Sequence, residues 1–172
     1  MARMILDVKD RLVLSNQYRI LEKVDPDNAE TYARNREIVE SGYEISYDWI
    51  ADHIESEPMK EEACREVFDI LDMYRRLRSS YDKLADKSGI DANDVDFPGF
   101  DGNNEPGYLA FGEFLNKQGK YTESTVSNSH SRTLEMYQRM LGAFRPLRGK
   151  GALEKVDIQR IIAEQIHPER RK

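Results

Sequence analysis

The chain has 172 residues, of which 39% are hydrophobic and 34% charged, a balance that suits one domain with a modest core beneath an ionised surface. Neither a run of about 18 uncharged apolar residues nor, within Met1 to Lys9, the apolar segment of a signal peptide is present, so a soluble intracellular protein is expected. One cysteine, Cys64, excludes an intrachain disulfide and a multi-thiolate zinc site, while ten glycines and six prolines amid abundant Leu, Glu, Lys, Arg and Ala lean helical.

Charge is segregated along the chain. Residues 1–88 carry 14 Lys and Arg against 20 Asp and Glu, residues 89–130 carry 2 against 7, and residues 131–172 carry 10 against 5. The net charge of −6 is therefore an acidic body with a basic final quarter, a poor design for nonspecific nucleic-acid binding. The ends, residues 1–7 and the basic tail 168–172, read as frayed termini of a single domain spanning 1–172.

From Val8 to Val24 the positions Leu14, Tyr18, Leu21 and Val24, widened by Leu12, Val13 and Ile20, predict a helix with a broad buried face. Asp25-Pro26 can cap and open a second helix that runs to about Ser41, with Gly42 at its C-terminus. Ser46 reads as the cap of a short helix carrying Trp49, Ile50 and Ile54, interrupted around Glu55 to Pro58. The strongest periodicity follows: Met59, Ala63, Val67, Ile70, Tyr74, Leu77, Tyr81 and Leu84 alternate at spacings of three and four, a central helix of about seven turns ending at Gly89.

Residues 91–105 form an Asx-rich loop pinned by Phe97 and Phe100. Pro106 opens a helix whose Tyr108, Leu109, Phe111, Phe114 and Leu115 face the core, closing near Gly119. The Ser/Thr-rich stretch 120–131 reads as a mobile surface loop. Leu134 to Phe144 and Val156 to Ile166 complete six or seven helices around one long central helix, an all-α fold.

Several blocks resemble the YfbU-like family of bacterial proteins. RLVLSNQYRILEKVDPDNAETYARNREIVESGY at Arg11 to Tyr43, MKEEACREVFDILDMY at Met59 to Tyr74 and FPGFDGNNEPGYLAFGEFL at Phe97 to Leu115 carry the resemblance. GKYTES at Gly119 and EMYQRML at Glu135 extend it over roughly residues 10 to 166. It implies an all-helical bacterial cytoplasmic protein that self-associates. It brings no activity, cofactor or catalytic residue set.

Chemistry-bearing residues are sparse. His53, His130 and His167 lack metal-ligand spacing, so no metal or other cofactor is expected. The acidic loop fails the EF-hand register, because Val95 or Pro98 falls where an oxygen ligand is required. Cys64, among apolar helical neighbours, reads as a small core residue, and phosphate-loop patterns are missing. Arg160 and His167 match the loose Arg-x(4 to 6)-His arrangement of HEPN-type ribonucleases and would sit about two turns apart on one face of the last helix. They define the enzymatic alternative, an RNA-directed or toxin-like activity in stress or phage response. A weaker option uses Arg132, Arg139, Arg145, Arg148 and Lys150 against nucleic acid.

Binding is better supported than catalysis. Tyr43, Tyr47 and Trp49 follow the first hairpin, and Phe97, Phe100 and Asp101 mark the irregular acidic loop; aromatic side chains bury large areas at little entropy cost. The expected function is a non-catalytic homo-oligomeric interaction module, with a place in stress response, docking an unidentified protein partner through these six residues. Neither membrane nor nucleic acid is an expected partner.

Overall fold

A computed structural model describes residues 4–55 and 57–170. Seven α-helices occur among them: α1 (Val8–Val24), α2 (Ala29–Ser41), α3 (Tyr47–Ile50), α4 (Glu61–Asp82), α5 (Pro106–Lys117), α6 (Leu134–Phe144) and α7 (Lys155–Ile162). The described residues form no β-strand, only one isolated parallel bridge between Phe100 and Asn128, so the all-α expectation holds. Two compact units are resolved along the chain, Met1–Pro58 and Met59–Lys172.

In the first unit, α1 and α2 form the expected hairpin. Asp7 starts α1 with a capping box: its Oδ1 accepts from Asp10 N at 2.8 Å, and Asp7 N donates to Asp10 Oδ2 at 3.1 Å. Residues 4–7 are thus ordered rather than frayed. Met4 N donates to Asp48 Oδ1, and Met4 and Leu6 pack against the small core of Ile38, Val39, Tyr47 and Ile50. Residues 1–3, like Arg171 and Lys172 of the basic tail, lie outside the described residues.

The α1–α2 seam is fixed by polar cross-links. Ser15 and Arg19 both donate to Glu40 Oε1, at 2.7 and 2.9 Å, and Arg36 donates to Glu22 at 2.7 Å. Asp25 accepts from Tyr32 Oη at 2.7 Å and Asn28 Nδ2 at 3.0 Å, bonds that hold its carboxyl below the ordinary range. Gly42 sits at φ +72°, and a Cβ there would fall 2.7 Å from the Arg11 guanidinium.

The face that α1 buries is narrower than its apolar content suggested. Leu14 and Tyr18 pack inward, whereas Leu12, Val13, Ile20 and Val24 are exposed. A single neighbouring helix covers only part of the circumference of α1, and the remaining apolar arc faces outward.

The second unit is built on α4, which buries Val67, Ile70, Leu71, Met73, Tyr74, Leu77 and Tyr81 against α5, α6 and α7. It ends at Asp82, seven residues before Gly89, where Lys83 N and Leu84 N close tighter turns onto Ser80 and Tyr81. Leu84 packs on the core from beyond the helix, which explains why the apolar spacing overran its end. On α5 Leu115 is buried while Phe114 points to solvent.

Loops 91–105 and 120–131 meet. Phe100 N donates to Ser127 O at 3.1 Å, Ser129 N to Phe100 O at 2.9 Å, and Gly102 N to Asn128 Oδ1 at 3.1 Å. Gly99 makes the approach feasible: at φ +103°, its Cβ would lie 2.0 Å from Ser127 O. The second loop is anchored rather than loose, because the Asn116 amide donates to Lys120 O and Tyr121 O and accepts from Val126 N, while Tyr121 and Val126 are buried.

Candidate functional site

Four of the six expected binding residues are consumed by packing. Phe97 and Phe100 belong to a ring cluster with Tyr74 and Tyr137, with centroids 5.2 to 5.7 Å apart, and Phe100 is fully buried. Asp101 is buried too. Its carboxylate accepts from Asn104 Nδ2 and from Asn103 N at 3.0 Å, which lowers its pKa and makes it an Asx turn rather than a ligand. Tyr47, at 2% exposure, is core of the first unit.

Beside Asp101 lies a carboxylate that the sequence reading passed over. Glu105 accepts from Asp101 N (3.1 Å), Thr133 N (2.9 Å), Thr133 Oγ1 (2.9 Å) and Leu134 N (2.8 Å), so it caps α6 from across the fold. A glutamate 28 and 29 residues away from its amides has no local signature, and its role here is structural.

The enzymatic alternative loses its geometry. Helix α7 ends at Ile162, a tighter turn covers Ala163–Gln165, and Ile166 is extended, so Arg160 and His167 share no helix face. His167 lines a groove of about 660 Å³ with Arg132, Glu135, Met136 and Arg139, a lining that does not include Arg160. The five basic residues of the nucleic-acid option are engaged by the chain's own oxygens. Arg139 donates to the carbonyls of Glu135, Glu164 and Gln165, Arg145 and Arg148 pair with Asp69, Lys150 pairs with Asp157, and Arg132 donates to Asn104. Among the described residues no three His, Cys, Asp or Glu side chains converge to hold a metal ion.

The remaining expected residues lie on a different kind of surface. Tyr43 and Trp49 are 51% and 62% exposed, and they are not isolated. Of thirteen exposed large hydrophobic residues among the described ones, ten fall in the first unit: Tyr43, Ile45, Trp49 and Ile54 after α2, Ile5 before α1, and Val8, Leu12, Val13, Ile20 and Val24 along it. Single exposed apolar side chains are ordinary, but ten of the thirteen fall within a third of the chain. The outer stripe of α1 was missed because its residues were assigned to the core; the signal was an apolar arc too wide for one helix to cover.

Fold and surface together define an all-helical protein whose exposed apolar area is gathered on one of its two units. The YfbU domain family model matches residues 4–163, and the chain belongs to the YfbU family. Among the described residues no helix is long and apolar enough to cross a membrane.

Proposed function

We propose that this protein is a non-catalytic helical interaction module that self-associates, with the first unit as its docking part. The observation that carries this reading is the concentration of exposed apolar side chains on α1 and on residues 43–54. Burying one such side chain contributes roughly 1.5–3 kcal/mol, so a surface of this composition favours association. Tyr43 and Trp49 remain available as aromatic anchors, whereas Tyr47, Phe97, Phe100 and Asp101 act by shaping the fold. On this reading the protein works in the bacterial cytoplasm, as the family resemblance implies.

Sedimentation equilibrium over a wide concentration range tests the proposal. The expected result is a mass at least twice the 20.0 kDa of the chain, falling toward the single-chain value on dilution. A single chain at every concentration overturns it.

A further inference from the structure

The exposed apolar surface of the first unit consists of two patches of opposite charge. On α1, at about 100° per residue, Lys9 and Lys23 project among the exposed Leu12, Val13 and Ile20. The acidic residues of the same helix are directed elsewhere: Asp10 closes the capping box and Glu22 pairs with Arg36. Residues 43–57 present the opposite character. Around exposed Tyr43, Ile45, Trp49 and Ile54 the segment carries five carboxylates, Glu44, Asp48, Asp52, Glu55 and Glu57, and neither lysine nor arginine.

We infer that the occupant of this surface is a second copy of the chain, docked so that α1 of each copy lies on residues 43–57 of the other. The inference rests on the self-association proposed above and specifies its interface. An α1-on-α1 contact would bring Lys9 and Lys23 against themselves, and a contact between two 43–57 segments would oppose ten carboxylates in all, whereas the crossed arrangement pairs each patch with its complement. Both patches belong to one unit and adjoin at the start of α1, where Met4 N meets Asp48. A two-fold axis therefore repeats the crossed contact and closes the assembly as a dimer.

Paired charge reversals test the crossing. Lys9→Glu/Lys23→Glu makes both patches of a chain acidic, and Glu44→Lys/Asp52→Lys/Glu55→Lys/Glu57→Lys, which leaves Asp48 as the one carboxylate of the segment, makes both basic. Each variant alone is expected to lose dimer affinity by at least about tenfold. Mixed at equal concentration, they are expected to form a heterodimer with wild-type affinity, because both crossed contacts are then complementary. Size exclusion with light scattering reads the mass and far-UV circular dichroism the fold; if either variant loses its helix signal, Lys23→Glu and Glu55→Lys replace them, and each is expected to weaken the dimer on its own. Unaltered dimerisation of either variant, or a mixture that stays monomeric, overturns the crossed interface while leaving self-association standing. A monomeric wild type overturns both.

Discussion

The two units use apolar residues in opposite ways. Among the described residues, the second unit buries twenty hydrophobic side chains in one cluster and exposes three large ones; the first buries four and exposes ten. Composition does not separate them, because α1, with seven Leu, Ile and Val in 17 residues, falls between α6, with two in 11, and α7, with four in eight. What differs is coverage: α4 packs against three other helices, whereas α1 packs chiefly on one, α2, across a seam held by Arg19, Arg36 and their glutamates. A small unit with so thin a core is marginal, and on the proposed reading a second copy covering its outward apolar face would supply what the interior lacks.

The sharpest way to break the second unit is through its polar hub, where one carboxylate serves four donors. Glu105→Ala would orphan three backbone amides, those of Asp101, Thr133 and Leu134, and leave the Thr133 hydroxyl only the Gly99 carbonyl, a loss of about 3–5 kcal/mol at roughly 1–3 kcal/mol per unsatisfied buried group with partial relaxation. Glu105→Gln, which retains one acceptor oxygen, should lose less. Urea unfolding of the two variants beside wild type measures both values; equal stability of Glu105→Ala and wild type would show that the amides find other acceptors.

Much of this architecture was legible because it is local. Val8–Val24 and Leu134–Phe144 follow from periodicity and their flanking residues, and Gly42 takes the left-handed conformation its position suggests. What was not legible depends on partners distant in the chain. Periodicity states that α1 has an apolar arc, not which part of it another helix will cover. The composition of residues 120–131 indicates a loop, yet the Asn116 amide and the Phe100 bridge that hold it come from elsewhere. Aromatic residues near Asp and Asn looked alike in both units; Phe97 and Phe100 meet Tyr74 and Tyr137, while Tyr43 and Trp49 remain exposed. His167 appeared to extend a helix that Ile166 has already left.

Acid sharpens the comparison more gently. In the first unit the carboxyls of Asp25 and Glu40 are lowered, by the Tyr32 hydroxyl and by the Ser15 hydroxyl with Arg19. In the second, those of Asp101, Glu123 and Asp157 are lowered, chiefly by Asn104, Arg75 and Lys150. A carboxyl with a lowered folded-state pKa binds its proton more tightly when the chain is unfolded. Its stabilisation is complete above the unfolded value of about 4 and is lost as the pH falls through the folded one. Asp94, raised by burial, contributes in the opposite direction. Thermal melts should therefore be insensitive to these groups from about pH 5 to 7 and show a falling Tm from there toward pH 3; a Tm that rises on acidification would refute the linkage.

The smallest effect is expected on the outer face of α1, and its smallness is informative. Leu12→Gln and Ile20→Gln remove apolar side chains that are 61% and 62% exposed, and glutamine is at least as good a helix former as isoleucine. Were these residues part of the folding core, each substitution would cost about 2–5 kcal/mol. As surface residues of a single chain they should change its unfolding free energy by no more than about 0.5 kcal/mol. The two situations separate in the concentration dependence of Tm. Wild-type protein should melt higher as its concentration rises, because association stabilises the folded chain by mass action, and the double variant should melt at one temperature throughout. If the variant instead melts several degrees lower even at the greatest dilution, the outer face of α1 contributes to the fold of the single chain, and the contrast between the two units fails.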